Sequence, residues 1–320
     1  MTDPDVLIAG ETLIDLFPTT AGPLADAETF ERRAGGAPAN LAVAMTRLGT
    51  PPYLWTRLGA DPFGEHLADV LETQGVPDRF VEVDVDRKTA HTLVGEDPAA
   101  DQSFVFYKEG TATMAMESET VPDETLANLE WVHFGGVMLC EAPVRTAMLD
   151  LAERAQAQAC TVSFDPNTRE DLWPDPADLE PTMRRALELA DVVKTDREDL
   201  SVLLETIDQD IALVAEELLA YGPHTVFLTR GADGTYGMAT ADAPWGPAEV
   251  DQPAVDVDVV DTTGAGDAFT AGTITALLAG RSLPDAVTFG NAVGALTTTE
   301  TGAMEPLPDR EAVERLIAAQ

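Results

Sequence analysis

A chain of 320 residues carrying 57 acidic against 19 basic side chains has a formal charge of −38, a field that repels nucleic-acid phosphates and anionic membranes and excludes both as partners. Its 45% of hydrophobic residues can fill a packed core, which excludes the disorder that so acidic a composition would otherwise suggest. The length accommodates one large α/β domain with a smaller attached element, or two domains.

Val6 to Ala9 reads as a short buried strand ending at Gly10. Residues 11–33 mix Leu13, Ile14, Leu16, Phe17 and Phe30 with proline and threonine, which predicts short strands and loops. In AGGAPANLAVAMTRLG, residues 34–49, Gly35-Gly36 predict a turn and Pro38 suits a first helical turn. Leu41, Ala44, Met45 and Leu48 then follow at i, i+3, i+4 and i+7, and Gly49 closes the helix. A strand over 53–58 and a helix over 64–74 that stops at Gly75 come next. From Phe80 to Tyr107 the pattern is β-rich with no intervening helix.

Beyond that the chain alternates: WVHFGGV, a helix at 143–159, TVSFDP, a helix near 178–190, DVVKT, helices at 197–205 and 211–221, then TVFLT. Alternation of this kind predicts an α/β fold, a doubly wound and mostly parallel sheet. The interruptions at 11–33 and 87–113 are expected to form a small β-sheet lid. The core is then 1–10, 34–86 and 114–320.

Residues 255–269, VDVDVVDTTGAGDAF, are the most informative stretch. Val255, Val257 and Val259 alternate with Asp256 and Asp258, which predicts a half-buried strand, and a helix follows from Ala268 to Ala279. The Gly264-Ala265-Gly266 turn between them predicts backbone N–H groups converging at a helix N-terminus, an anion cradle. Asp267 is an odd neighbour for bound phosphate unless it acts as a base that activates an attacking hydroxyl while the amides hold the transferred group. The stretch lacks the third glycine of a dinucleotide fingerprint, and no GxxxxGK[ST] occurs in the chain. Phosphoryl transfer is the chemistry that remains.

With these motifs in place, the chain resembles the ribokinase-like (PfkB-type) carbohydrate kinases over almost its whole length. GGAPAN at 35–40 is similar to the family's substrate motif and DTTGAGDAF at 261–269 to its catalytic motif, in the family's order. GETLIDLFP at 10–18, FVFYK at 104–108, FDPNTREDLW at 164–173 and GNAVGALTTTETGAMEPLP at 290–308 look most like bacterial-type fructokinases. The 2-keto-3-deoxygluconate kinases are the next most similar.

The resemblance implies a fold, an activity and a set of roles. The fold is ribokinase-like. The activity is ATP- and Mg²⁺-dependent phosphorylation of a sugar hydroxyl, with Asp267 as base and the amides of Gly264, Ala265 and Gly266 on the phosphoryl group. Asp15, Gly36 and Asn40 would hydrogen-bond the sugar, with Lys108, Glu141 and Arg169 at the same crevice. Lys194, Thr229, Gly231, Gly234, Asn291 and Ala295 would line the nucleotide. The resemblance also implies K⁺ near Asp261 and Thr263, and a homodimer formed through the lid. Plainer roles stay open: Asp15 as the start of a turn, Asn40 as a first-turn helical residue, Glu141 as a solvated loop acid, the 231 and 234 glycines as hairpin residues, and Asn291 as a packing residue. A non-catalytic sugar or nucleotide sensor on the same scaffold is the alternative of another class; an intact Asp267 argues against it.

Two departures stand out. Where the family carries an Asn-x-x-Glu type motif that organises magnesium, this chain has KTDRED at 194–199, so Asp196 and Asp199 become the candidate ligands, through water. Lys108 stands where related kinases often carry arginine, and a point charge suits a carboxylate less well than a bidentate fork, which favours a neutral sugar.

Cys140 and Cys160 are too few for a disulfide framework, and His66, His91, His133 and His224 are scattered. MTDPDVLIAG lacks a basic n-region and a long apolar run, and no stretch reaches membrane-span length, so a cytoplasmic protein is expected. Only Lys88, Lys108 and Lys194 are lysines. So dense a carboxylate surface suits a very salty cytoplasm, where salt screens its self-repulsion. Folding and activity are therefore expected to rise with KCl in a titration from dilute buffer to molar salt. Full stability in dilute buffer would show that the charge is not an adaptation to salt.

Overall fold

The computed structural model describes residues 3–20, 22–97, 100–201, 203–204 and 206–319. Strand β1 (Val6–Ala9) is buried at every position, as a strand covered on both faces must be. The chain then makes β2 (Leu13–Pro18), β3 (Phe30–Gly35), α1 (Ala37–Arg47), β4 (Tyr53–Gly59), α2 (Pro62–Gln74), β5 (Val81–Asp84), β6 (His91–Asp97) and β7 (Ala100–Tyr107). The middle follows as α3 (Asp123–Leu126), β8 (Trp131–Gly135), α4 (Val144–Ala157), β9 (Thr161–Asp165), α5 (Leu179–Glu188), β10 (Val192–Thr195), α6 (Arg197–Leu200), α7 (Ile211–Leu219) and β11 (Thr225–Thr229). It ends with β12 (Thr235–Ala239), β13 (Ala248–Gln252), α8 (Ala265–Leu278), α9 (Leu283–Thr297) and α10 (Arg310–Ala318).

Nine strands form one sheet in the order β13-β12-β11-β10-β9-β8-β1-β4-β5. It is parallel from β5 through β11 and antiparallel at β12 and β13. The two-residue period divides the core. Leu7 and Ala9 face one side with Phe134, Phe164, Met148 of α4, Met183 of α5 and Leu218 of α7. Val6 and Ile8 face the other with Leu41 of α1, Leu67 of α2, Ile274 of α8 and Phe289 of α9. This is the doubly wound α/β arrangement that the alternation predicts.

A second, four-stranded sheet has the order β3-β2-β6-β7, with β2 antiparallel to β3, parallel to β6, and β6 antiparallel to β7. Its strands come from two segments, β2 and β3 between β1 and α1, and β6 and β7 after β5. Its Ile14 is fully buried in the core on the α1 side of the large sheet. Among the described residues no helix is long and apolar enough to cross a membrane.

Three expectations need correction. Residues 255–259 are not a strand: they join neither sheet, the Val260 and Asp261 N–H groups that follow both go to the Thr298 carbonyl after α9, and Val259 and Val260 stand 61% and 62% exposed. The expected helix at 197–205 is a single turn, α6, because the Arg197 guanidinium takes the carbonyls of Ile207 and Gln209 and folds the chain back toward α7. Residues 202 and 205 of that expectation lie outside the described residues. Helix α8 begins three residues before the expected Ala268, so Asp267 is a first-turn helical residue.

Helices α8 and α9 approach closely at two glycines. A Cβ on Gly272 would lie 2.9 Å from Gly290 Cα and 2.9 Å from Val293 Cγ2. Overpacking a site of this kind costs about 1–3 kcal/mol. Gly272→Val is expected to lower the thermal midpoint and, by pushing α8 away from α9, to lower activity. An unchanged melting curve would show that the helix pair can open without penalty.

Candidate active site

The site lies at the C-terminal ends of the parallel strands, where open α/β sheets place ligands. Strand β1 ends at Gly10, where a Cβ would meet Pro38 Cγ at 2.4 Å, so the start of α1 is pressed onto the strand end. Gly36, at φ +102° and with the Glu11 carbonyl 2.5 Å from where its Cβ would be, is a position that no larger residue fits. One turn into α1, Asn40 Nδ2 donates to Asp267 Oδ2 at 2.8 Å. That bond spans 227 residues of sequence and brings the two glycine motifs together.

Gly264 adopts φ +76° and caps α8. The Ala265 N–H is already spent on the Thr262 carbonyl at 3.2 Å. Gly266 and Asp267 are then the first-turn amides without an acceptor inside the helix, the donors an anion would meet. Against Gly266 lies Lys194: a Cβ there would sit 3.0 Å from its Nζ. Lys194 at the end of β10 is in turn paired with Asp165 at the end of β9, 2.9 Å away, and both are buried. Burial alone would lower the lysine, but Asp165 and further acids, Asp199 and Asp267 among them, raise it above the ordinary range. It stays charged.

Burial raises Asp267 to about 6, held from going higher by the Asn40 hydrogen bond and the charges of Lys194 and Arg169, while Asp165 pushes it up. A base poised there is ionised at neutral pH yet still basic enough to take a hydroxyl proton. Burial and the nearby Asp267 raise Asp15 to about 7. Asp15 lies on β2 with its carboxylate over Gly35, whose Cβ would stand 1.9 Å from Oδ2. Lys108 follows β7, and its ammonium donates to Cys140 Sγ. Glu141 is the next residue, and its carbonyl accepts the Arg145 N–H at 3.0 Å. Arg169 pairs with Asp199 at 3.4 Å and its charge also reaches Asp267.

The remaining candidates have structural partners. Thr229 Oγ1 donates to the Thr195 carbonyl at 3.2 Å. Gly231 (φ +55°) and Gly234 (φ +83°) turn β11 into β12, and a Cβ on Gly234 would meet the Gln252 carbonyl at 2.0 Å. Buried Asn291 accepts from Thr235 Oγ1 at 2.7 Å, while its Nδ2 has no partner. The Ala295 carbonyl, one turn on, takes the Thr298 N–H and hydroxyl. Asp196 caps α6 by accepting the Asp199 N–H at 3.0 Å. Burial raises Asp199, as do Asp165 and Asp196. Asp261 accepts from Thr263 N–H at 3.0 Å, Thr263 Oγ1 at 2.6 Å and Gly302 N–H at 2.9 Å, which keeps it low despite burial. Among the described residues no group of three or more His, Cys, Asp or Glu side chains is arranged to hold a metal ion.

Residues 3–310 match the pfkB family carbohydrate kinases. The chain belongs to that family. This carbohydrate kinase is 30% identical to a fructokinase of Vibrio alginolyticus over 98% of both chains, and 33% identical to fructokinase-1 of Zea mays over 98% of this chain and 97% of the other. Among solved structures it resembles a fructokinase from Xylella fastidiosa with bound ATP, at 31% identity, TM-score 0.86 and 99% coverage of both chains. It also resembles a fructokinase variant from Vibrio cholerae O395 with fructose, ADP and potassium ion bound, at 28% identity, TM-score 0.81, 99% of this chain and 100% of the other.

Three site residues of the kinase escape the sequence. Glu11 is buried at the end of β1 and lines a cavity with Asp165, Asn167 and Asp267. Asp165 is the partner of Lys194. His133 is bonded through Nδ1 to Ser163 Oγ at 2.8 Å and pushed down to about 4 by burial, so it is neutral. Glu11 and Asp165 lie just beyond or at the C-terminal ends of β1 and β9, where strand-end position was the available signal, whereas His133 sits in the middle of β8 and carries no such signal.

Removing the Asn40 hydrogen bond removes one of the effects that hold Asp267 down. Asn40→Ala is therefore expected to shift the acid limb of kcat/KM above about pH 6, so that activity falls more at pH 6 than at pH 8. A limb that stays in place would show that Asn40 does not tune the base.

Proposed function

We propose that this kinase transfers the γ-phosphoryl group of ATP to a hydroxyl of a neutral ketohexose, fructose, with Asp267 as the general base. The observation that carries this is the Asn40–Asp267 hydrogen bond, which sets the base beside the loop of α1 that the family resemblance assigns to the sugar. The fructokinases among its relatives support the choice of sugar.

Asp15, Gly36 and Asn40 hold the polyol, with Lys108, Glu141 and Arg169 around it. Asp267 takes the proton of the attacking hydroxyl. The amides of the α8 first turn, with the Lys194 ammonium beside Gly266, face the charge that develops on the transferring group. Catalysis here is positioning and electrostatics. Thr229, Gly231, Gly234, Asn291 and Ala295 form the nucleotide side, the unpaired Nδ2 of Asn291 being a free donor there.

Asp165 acts on both Asp199 and Asp267, and Asp196 acts on Asp199, with Lys194 and Arg169 nearby, so more acids than cations gather at this end of the sheet, a charge balance that favours a divalent cation held through water rather than by direct ligation. Asp196 and Asp199 would hold Mg²⁺ through water, and bound Mg²⁺ would neutralise phosphate charge. Both Asp261 oxygens already accept hydrogen bonds, so Asp261 and Thr263 suit a weakly held K⁺ that shares lone pairs with them. The sheet formed by parts of 11–33 and 87–113 acts as a lid that excludes water. Its exposed Phe30, Val105 and Tyr107 suit a homodimer through that sheet. A cytoplasmic location accords with a substrate and ATP that are both soluble metabolites.

A coupled assay with fructose, ribose, adenosine and 2-keto-3-deoxygluconate should show the highest kcat/KM for fructose. Preference for the keto-deoxy acid would reassign the substrate. Absence of any sugar-dependent ATP consumption would favour a sensor. Asp267→Asn should lower kcat by about 10²–10⁴-fold while sugar binding persists in calorimetry. Retained turnover would refute the base.

A further inference from the structure

Glu11 is the one acid of the cleft with no role in the mechanism above. It directly follows Gly10 at the end of β1, next to the Gly36 turn, and is only 5% exposed. The amides of Glu11 itself and of Ala37, the first residue of α1, hydrogen-bond its carboxylate. That accounts for a capping role, yet not for the whole group. Oε2 is buried and has no partner. It belongs to the wall of the cavity that Asn167 and Asp267 also line. A buried carboxylate oxygen left unpaired is costly, and native structures rarely retain one without a ligand or water to satisfy it.

The surroundings say what that ligand is. Asp267 and Lys108 both act on Glu11 through space, the first from α8 and the second from beyond β7. Glu11 thus shares a cavity with the base and is within electrostatic reach of the residue that follows the small sheet, on the side of the cleft where a sugar would be enclosed. Of the rest of the cavity wall, Pro38, Leu41 and Val137 are apolar, and the polar side chains of His133, Asn167 and Thr270 make no hydrogen bond to Oε2. Burial raises the group to about 7, so at neutral pH it can accept from a hydroxyl or donate to one. An alcohol is the ligand chemistry that tolerates both.

We propose that Glu11 is a substrate-contacting residue, whose free Oε2 hydrogen-bonds a sugar hydroxyl next to the one that Asp267 deprotonates. The proposal rests on the sugar-kinase reading. It adds a further carboxyl to the polyol site beside Asp15, Glu141 and Asp267, and it assigns to the Gly-Glu pair a recognition role that capping α1 does not require.

The test pairs Glu11→Gln, which keeps the shape and an acceptor for the amides, with a set of monodeoxy fructoses. Wild-type enzyme is first assayed with fructose, ribose, adenosine and 2-keto-3-deoxygluconate, and the deoxy analogues of the best substrate are then used. If none is phosphorylated, the kinase reading fails and Glu11 falls with it. If one is, Glu11→Gln should raise the sugar KM by about 10- to 100-fold, with the KM for ATP and the thermal midpoint unchanged. For one deoxy analogue the variant and the wild type should become equal, because the hydroxyl that Glu11 contacts is missing. An equal effect on every analogue, or a lowered thermal midpoint with the sugar KM unmoved, would overturn the proposal and leave Glu11 as the cap of α1. Should Glu11→Gln fold poorly, Glu11→Asp shortens the side chain and keeps the charge; the same analogue-dependent pattern is required of it.

Discussion

A single hydrogen bond, Asn40 to Asp267, joins the two ends of the fold that the chemistry needs. It forms only if two helices start at the same point: α1, pressed onto the end of β1 by the contact of Gly10 with Pro38, and α8, delivered by the Gly264 cap. Each helix brings its N-terminus to the crest of the sheet: the Ala37 amide of α1 is held by the Glu11 carboxylate, whereas α8 keeps first-turn amides without an acceptor inside the helix. The close approach of α8 to α9 through Gly272 and Gly290 holds this register.

Crowding acids into such a place has an electrostatic cost. Asp165 works against both Asp199 and Asp267, Asp196 works against Asp199, and burial raises Asp199 and Asp267. Lys194 resolves part of this. It is buried, paired with Asp165 at 2.9 Å, and touches Gly266, so one ammonium lowers the neighbouring acids and also presents positive charge to the first turn of α8. The ion pair is a device for holding charge where the reaction needs it rather than a source of stability, since desolvation offsets much of what a buried pair gains.

Much of the architecture was legible because the two periodicities are strong. Leu41, Ala44, Met45 and Leu48 mark α1, and the apolar runs of β1, β8, β9 and β10 can only be strands covered on both faces. The failures share one cause. Residues 255–259 have the alternation of a strand but lead into a segment tied to the end of α9 at Thr298, and the helix expected from 197 stops after one turn, where Arg197 bonds the carbonyls of Ile207 and Gln209 ahead of α7. Local pattern says what a segment prefers; long-range partners say whether it is granted.

The same division holds at the site. The sequence by itself determined the reaction: an acid inside a glycine cradle, a second glycine motif before a helix, and no competing nucleotide motif. These are local features, written in contiguous residues, because a turn and a helix N-terminus are made by their own neighbours. Only the tertiary structure decided who meets whom. That Asn40 holds Asp267, that Lys194 rests on Gly266 and pairs with Asp165, that the Ala265 amide is already engaged, and that Glu11 shares a cavity with the base all depend on strand order and helix packing. Contacts between residues dozens to hundreds of positions apart leave no mark on local periodicity, and in a doubly wound sheet they converge where the parallel strands end.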